Sequence, residues 1–182
     1  RPLKQISGDD DFNELFFENV RIPRTNVVGQ INGGWEIAIT CLMHERATLT
    51  FQRQLQSRIA LAEMMESVGS RVAKDPILRQ RFAQAHLESE IICLTAYRNL
   101  TVQLRGNPPG PEGSIEKLFW SEMYQRQLEL MLDVLGPYSQ LMPGSPYATD
   151  AGTWPHLFLY SRGRTIAAGT SEIQRNIIAE RV

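Results

Sequence analysis

The amino-acid sequence predicts an all-α protein, an antiparallel four-helix bundle preceded by a short remnant of β-structure, and three observations carry that reading. Apolar residues recur at helical spacing along three long segments, Gly34 to about Gly69, Pro76 to about Gln103 and Ser114 to Leu135. The breaks between them hold proline and glycine, which stop a helix and turn the chain. One segment alone, Phe12 to Ile22, has the aromatic and branched composition of a strand.

Residues 1–32 read as the end of a β-domain with its linker, and residues 33–182 as the helical domain. The strand-like segment stops at Pro23, before the turn residues Thr25, Asn26 and Gly29. A strand needs hydrogen-bonded neighbours, and no other segment reads as a convincing strand. Its sheet partners are therefore expected in chain that is not here, and the sequence reads as a piece of a longer protein. The first helix starts after Gly33-Gly34. Asp75-Pro76 starts the second, aspartate capping and proline filling a position whose N–H would have no partner. Arg105 to Gly113 carries three prolines and three glycines and is expected as an exposed connection, with Ser114 capping the third helix. Gly136-Pro137 ends that helix. A long loop, Tyr138 to Thr153, leads to a short helix near Trp154–Arg162 and then to a last helix capped by Thr170 or Ser171. Three long helices and a short terminal one pack as antiparallel neighbours.

Composition narrows the function. With 42% hydrophobic and 21% charged residues in 182, the chain can bury one good core. Lys and Arg number 19 against 20 Asp and Glu, for a net charge of -1 without a basic run, so no nucleic-acid partner is expected. No apolar stretch approaches the roughly 20 residues that span a bilayer, and no signal-peptide pattern opens the sequence. The expected location is the cytoplasm. Cys41 and Cys93 stand apart in apolar helical segments and are expected as buried free thiols. His44, His86 and His156 have no ligand spacing and are expected on helix surfaces or satisfied in the core; no metal is expected.

Two stretches carry chemistry. On the first helix Glu45 shares a face with Ala38, Cys41, Leu42, Thr48 and Leu49, a mostly apolar set. Burial disfavours a charged carboxylate and makes it a stronger base. Such a residue either pairs with an arginine of a neighbouring helix or serves as a general base, and the stretch leaves both open. Near the C-terminus, Ile166-Ala167-Ala168-Gly169-Thr170-Ser171-Glu172-Ile173-Gln174-Arg175 places a glycine before a Thr-Ser helix start. Backbone N–H groups there sit at the positive end of a helix dipole, where a carbonyl oxygen, phosphate or flavin edge is held well.

Together these strings resemble the C-terminal helical domain of the acyl-CoA dehydrogenase flavoenzymes. Phe12–Phe17 with Val20–Pro23 resembles the end of that family's middle β-domain, Asn32-Gly33-Gly34-Trp35 the entry to its first long C-terminal helix, and Gly169–Gln174 its last helix start. The resemblance implies α,β-dehydrogenation of an acyl-CoA thioester, with FAD as cofactor, an electron-transfer acceptor, and assembly into homo- or hetero-oligomers, dimeric or tetrameric. Most members carry the base just before the Gly-Thr of the last helix, where this sequence has Ala168; the isovaleryl-CoA and long-chain enzymes carry it on the first long helix before an arginine, matching Glu45-Arg46. The resemblance thus implies Glu45 as base, Arg46, Ala167, Ala168 and Gly169 at the substrate, and Thr170, Ser171 and Glu172 at FAD. Two elements that reach the FAD of a neighbouring subunit depart from the family pattern, at Arg79–Ala83 and Asp133–Pro137. They leave an alternative, a noncatalytic structural subunit of a heteromeric acyl-CoA dehydrogenase.

Overall fold

Five α-helices follow in chain order: α1 (Gly34–Lys74), α2 (Pro76–Leu104), α3 (Gly113–Leu135), α4 (Thr153–Ser161) and α5 (Ser171–Arg181). The computed structural model describes every residue but Pro109, and the side chains of Arg46, Ala47, Thr48 and Thr50 lie outside the described set. α1, α2 and α3 pack on one another, and α3 also receives α4 and α5. The predicted helical bundle is the observed one, with the last position filled by two short helices.

The core runs along α3. Leu61, Met64, Val68 and Val72 of α1, Phe82 and Ala85 of α2, Leu128, Met131, Val134 and Leu135 of α3 and Trp154 of α4 form one buried cluster. Each such side chain contributes about 1.5–3 kcal/mol on leaving water. Where α1, α2 and α3 meet, the core is polar. The Ser57 hydroxyl meets that of Ser89 at 3.2 Å and donates to Gln127 Oε1 at 3.2 Å, and Gln127 Nε2 donates to the Ala85 carbonyl at 3.4 Å. All three side chains are buried, so the network fixes how the helices are set against one another.

Helix ends follow the local chemistry. The Asp75 carboxylate accepts from the N–H groups of Ile77 (2.8 Å) and Leu78 (3.2 Å), with Pro76 in the first turn. α1 runs past the expected end near Gly69 to Lys74, since an isolated glycine costs only about 1 kcal/mol and Val72 is buried beyond it. Ser114 is not the cap of α3. The helix already begins at Gly113, the Ser114 N–H bonds back to the Pro111 carbonyl at 2.9 Å, and Ser114 is buried. Before α4, Asp150, Ala151 and Gly152 are all left-handed (φ 48°, 53° and 80°). The Asp150 carboxylate takes the Trp154 indole N–H, and its carbonyl takes the Thr153 hydroxyl at 2.6 Å, which holds that bend.

The N-terminal segment forms a small part of the β-structure that its composition suggests. The β-structure is a two-residue ladder, β1 (Pro2–Leu3) antiparallel to β2 (Phe12–Asn13), so two residues of the strand-like segment pair within this chain. Residues 14–22 form no strand, and Leu15, Phe16, Phe17, Val20 and Ile22 are exposed. Composition favours a strand there, and among the described residues the ladder extends only to the Glu14 N–H, which reaches the Arg1 carbonyl at 2.9 Å. The connection between β1 and β2 is anchored to α4: Asp9 meets His156 Nε2 at 2.9 Å, and the Tyr160 hydroxyl donates to Asp11 at 3.0 Å. Cys93 is buried as expected, whereas Cys41 is exposed.

Helix lengths explain that exposure. At 1.5 Å per residue, the 41 residues of α1 reach about 60 Å, against about 44 Å for the 29 of α2 and about 35 Å for the 23 of α3. Pairing α1 with α2 outward from Asp75 ends α2 near residue 46. The first turns of α1 therefore overhang, leaving Trp35, Ala38, Cys41 and Glu45 exposed within this chain.

Candidate active site

The start of α5 is built by two successive left-handed residues, Ala168 (φ 56°) and Gly169 (φ 92°), followed by extended Thr170, whose hydroxyl caps the helix by accepting from the Ile173 N–H at 3.4 Å. This reversal turns the Ala168 and Gly169 carbonyls into the protein. Gln174 Nε2 donates to both, at 3.0 and 3.2 Å, and Lys117 Nζ donates to the Gly169 carbonyl at 2.7 Å. Lys117 is 1% exposed and Gln174 0%. A Cβ on residue 169 would come within 2.6 Å of Gln174 Nε2, so the close approach requires glycine.

The donors on the other side of the loop are open. Among the described residues the N–H groups of Ala168, Gly169 and Thr170 have no acceptor in the chain. The Ser171 hydroxyl is buried without a hydrogen-bond partner. Glu172, at the first turn of α5, is held below the usual carboxylate range by its own backbone N–H, then by the Thr170 hydroxyl, with smaller help from Arg175 and Lys117. An anionic group is thus favoured at this helix end.

Beside the loop lies a cluster of cations and rings. The Arg53 guanidinium sits 4.8 Å over the Trp120 ring, Trp120 stacks on Tyr124 at 5.8 Å, and Arg164 lies 4.8 Å from the Tyr160 ring centre. Burial raises the Tyr124 hydroxyl above its ordinary range. Arg53 is level with Trp120, and Glu45 precedes it by eight residues, roughly 12 Å of helical rise, toward the end of the bundle where α3 begins and Lys117 holds the α5 loop.

The fold and these donors meet known proteins. The chain is 33% identical over its whole length to acyl-CoA dehydrogenases IpdE1 of Mycolicibacterium smegmatis and of Mycobacterium tuberculosis, covering 44% and 46% of them. The family described as acyl-CoA dehydrogenase, C-terminal domain, matches residues 32–182. The chain belongs to the acyl-CoA dehydrogenase family. It spans less than half the length of these relatives. The fold of this acyl-CoA dehydrogenase domain also superposes on the ChsE4–ChsE5 complex of M. tuberculosis, with a TM-score of 0.71 at 25% identity over 98% of this chain and 47% of that one. A Tcur3481–Tcur3483 steroid acyl-CoA dehydrogenase has the same fold, with a TM-score of 0.78 at 24% identity, covering 98% of this chain and 46% of that one.

Of the residues singled out in the sequence of this acyl-CoA dehydrogenase domain, Ala167, Ala168, Gly169, Thr170, Ser171 and Glu172 form one continuous turn at the start of α5. Glu45 lies on the overhang of α1, exposed rather than enclosed by neighbouring apolar side chains. The Arg46 side chain lies outside the described residues. Lys117 and Gln174 were missed. The available signal was a lysine on the face of α3 that also carries Trp120, Ser121 and Tyr124. No group of three or more potential metal ligands occurs among the described residues, and no helix described is long and apolar enough to cross a membrane.

Proposed function

We propose that this chain is the C-terminal helical domain of a cytoplasmic, FAD-dependent acyl-CoA dehydrogenase in which Glu45 takes the α-proton of a CoA thioester. One observation carries the reading: Ala168, at the position where most of the family places its base, has no group that accepts a proton, while Glu45-Arg46 occupies the family's other base position. The open donors suit the cofactor and substrate. Thr170, Ser171 and Glu172 would hold FAD, which when bound accepts the hydride leaving the β-carbon. The Ala168 N–H, flanked by Ala167 and Gly169, would hold the thioester oxygen as charge builds on it. Arg46 would orient the carboxylate. Substrate lying against the α1 overhang would strip water from Glu45 and strengthen it as a base.

Exposed Leu55 and Ile59 of α1 with Leu87, Ile91 and Leu94 of α2 support burial of this face against another subunit, in a dimer or tetramer that passes electrons to a separate acceptor. A second reading is a noncatalytic subunit of a heteromeric enzyme, favoured by the altered Arg79–Ala83 and Asp133–Pro137 segments. The complete protein, purified with any natural partner, separates the two. FAD content is read per assembly, and dehydrogenation is assayed with straight-chain, branched and polycyclic acyl-CoA. Flavin bound at this subunit with turnover supports the first reading; an assembly whose flavin and activity reside wholly in the partner supports the second.

A further inference from the structure

We propose that Lys117 and Gln174 are positioning residues that aim the backbone donors of the α5 start at the substrate carbonyl and the flavin. This rests on the reading of that loop as part of the active site. Burying an ammonium group is unfavourable unless it is compensated, and Lys117 is nearly inaccessible at 1% exposure. Its bond to the Gly169 carbonyl is short, 2.7 Å, and charge-assisted. A core that needed only to be filled at this place would be served better by an apolar side chain.

The bonds act on particular peptide groups. The Gly169 carbonyl shares its peptide with the Thr170 N–H, and the Ala168 carbonyl shares its peptide with the Gly169 N–H. Drawing those oxygens inward, Lys117 and Gln174 set the planes of both peptides and polarise their N–H groups, which strengthens them as donors. They also stabilise the left-handed conformation of Ala168, which is strained for an L-residue. The Ala168 N–H, immediately before this braced pair of peptides, takes its direction from the same reversal. Neither side chain need touch substrate. Each acts through the backbone, and the interactions it supports grow as the thioester oxygen gains charge, so its loss falls mainly on kcat.

The test uses the complete holoenzyme and two ligands that do not turn over: the 2-enoyl-CoA formed from the acyl-CoA that the parent oxidises fastest, and the thioether analogue with a methylene in place of the carbonyl. Affinities for both are measured through the flavin absorption of the parent, Lys117→Met and Gln174→Leu. The parent is expected to prefer the thioester at least tenfold. Each variant is expected to compress that preference below threefold and to lose at least tenfold in kcat, with KM changing less. Should Lys117→Met fail to fold, Gln174→Leu reads the same ratio. A preference equal to the parent's in every variant that folds overturns the positioning role and leaves the proposed function standing. A parent without flavin, or without any thioester preference, defeats the functional reading and this inference with it.

Discussion

Gly169→Ala is expected to loosen the start of α5, and the size of the effect follows from two costs. At φ 92° an L-residue pays about 1–2 kcal/mol of backbone strain. The added Cβ falls 2.6 Å from Gln174 Nε2 and pushes the amide off the Ala168 and Gly169 carbonyls, forfeiting two hydrogen bonds of about 0.5–1.5 kcal/mol each. The sum is about 2–5 kcal/mol, concentrated in one short terminal helix that can open without the rest of the bundle. Hydrogen exchange on the 182-residue chain should show the amides of Gln174 to Ile178 exchanging about 30- to 4000-fold faster, at tenfold per 1.4 kcal/mol, with the core of α3 unchanged. Gly163→Ala is the control. It meets no atom within 4 Å and its φ is not left-handed, so it should stabilise by about 0.4–1 kcal/mol. Unchanged protection of α5 in Gly169→Ala, or equal loss in both variants, would refute the reasoning.

Other consequences follow from the same structure. Ser57→Ala strands the Ser89 hydroxyl and Gln127 Oε1 in the core and should cost about 2–4 kcal/mol, or roughly 4–16 °C in melting temperature. Replacing all three polar residues, as Ser57→Ala/Ser89→Ala/Gln127→Leu, should cost less than the single change, and a larger loss would count against the network. Asp9 is held below the usual carboxylate range by the Ser7 hydroxyl first and by His156 after it. A lowered folded-state value means that its stabilisation is present above the unfolded value and fades as pH falls through the folded one. The melting difference between the parent and Asp9→Asn should therefore shrink as pH drops from about 6 to about 3; a constant difference would sink the linkage. The 182-residue chain alone is expected to be helical yet colourless and inactive, and a yellow preparation that dehydrogenates acyl-CoA would contradict this.

The helices were legible because their signals are local. Asp75-Pro76 and Thr170 carry their own capping chemistry, and the apolar spacing of α3 marks the face it buries. What escaped depended on distant partners. Lys117 shares its face of α3 with Trp120 and Tyr124, yet its role is set by the Gly169 carbonyl, 52 residues on. His156 reads as a helix-surface residue until Asp9, 147 residues away, closes on it. Periodicity also says which residues share a face and not whether anything covers that face. Cys41 and Glu45 share one with apolar neighbours, but α1 outruns α2 and leaves both exposed. Of the strand-like Phe12–Ile22, Phe12–Asn13 finds a partner within this chain, because a strand needs a paired backbone as well as a composition.

The base assignment is tested most directly by Glu45→Gln in the complete protein, purified with any natural partner, with FAD content and turnover measured side by side. The variant is expected to keep its FAD and lose about 10²–10⁴-fold in turnover, the usual contribution of a positioned general base. Retained turnover with FAD bound would show that Glu45 is not the base.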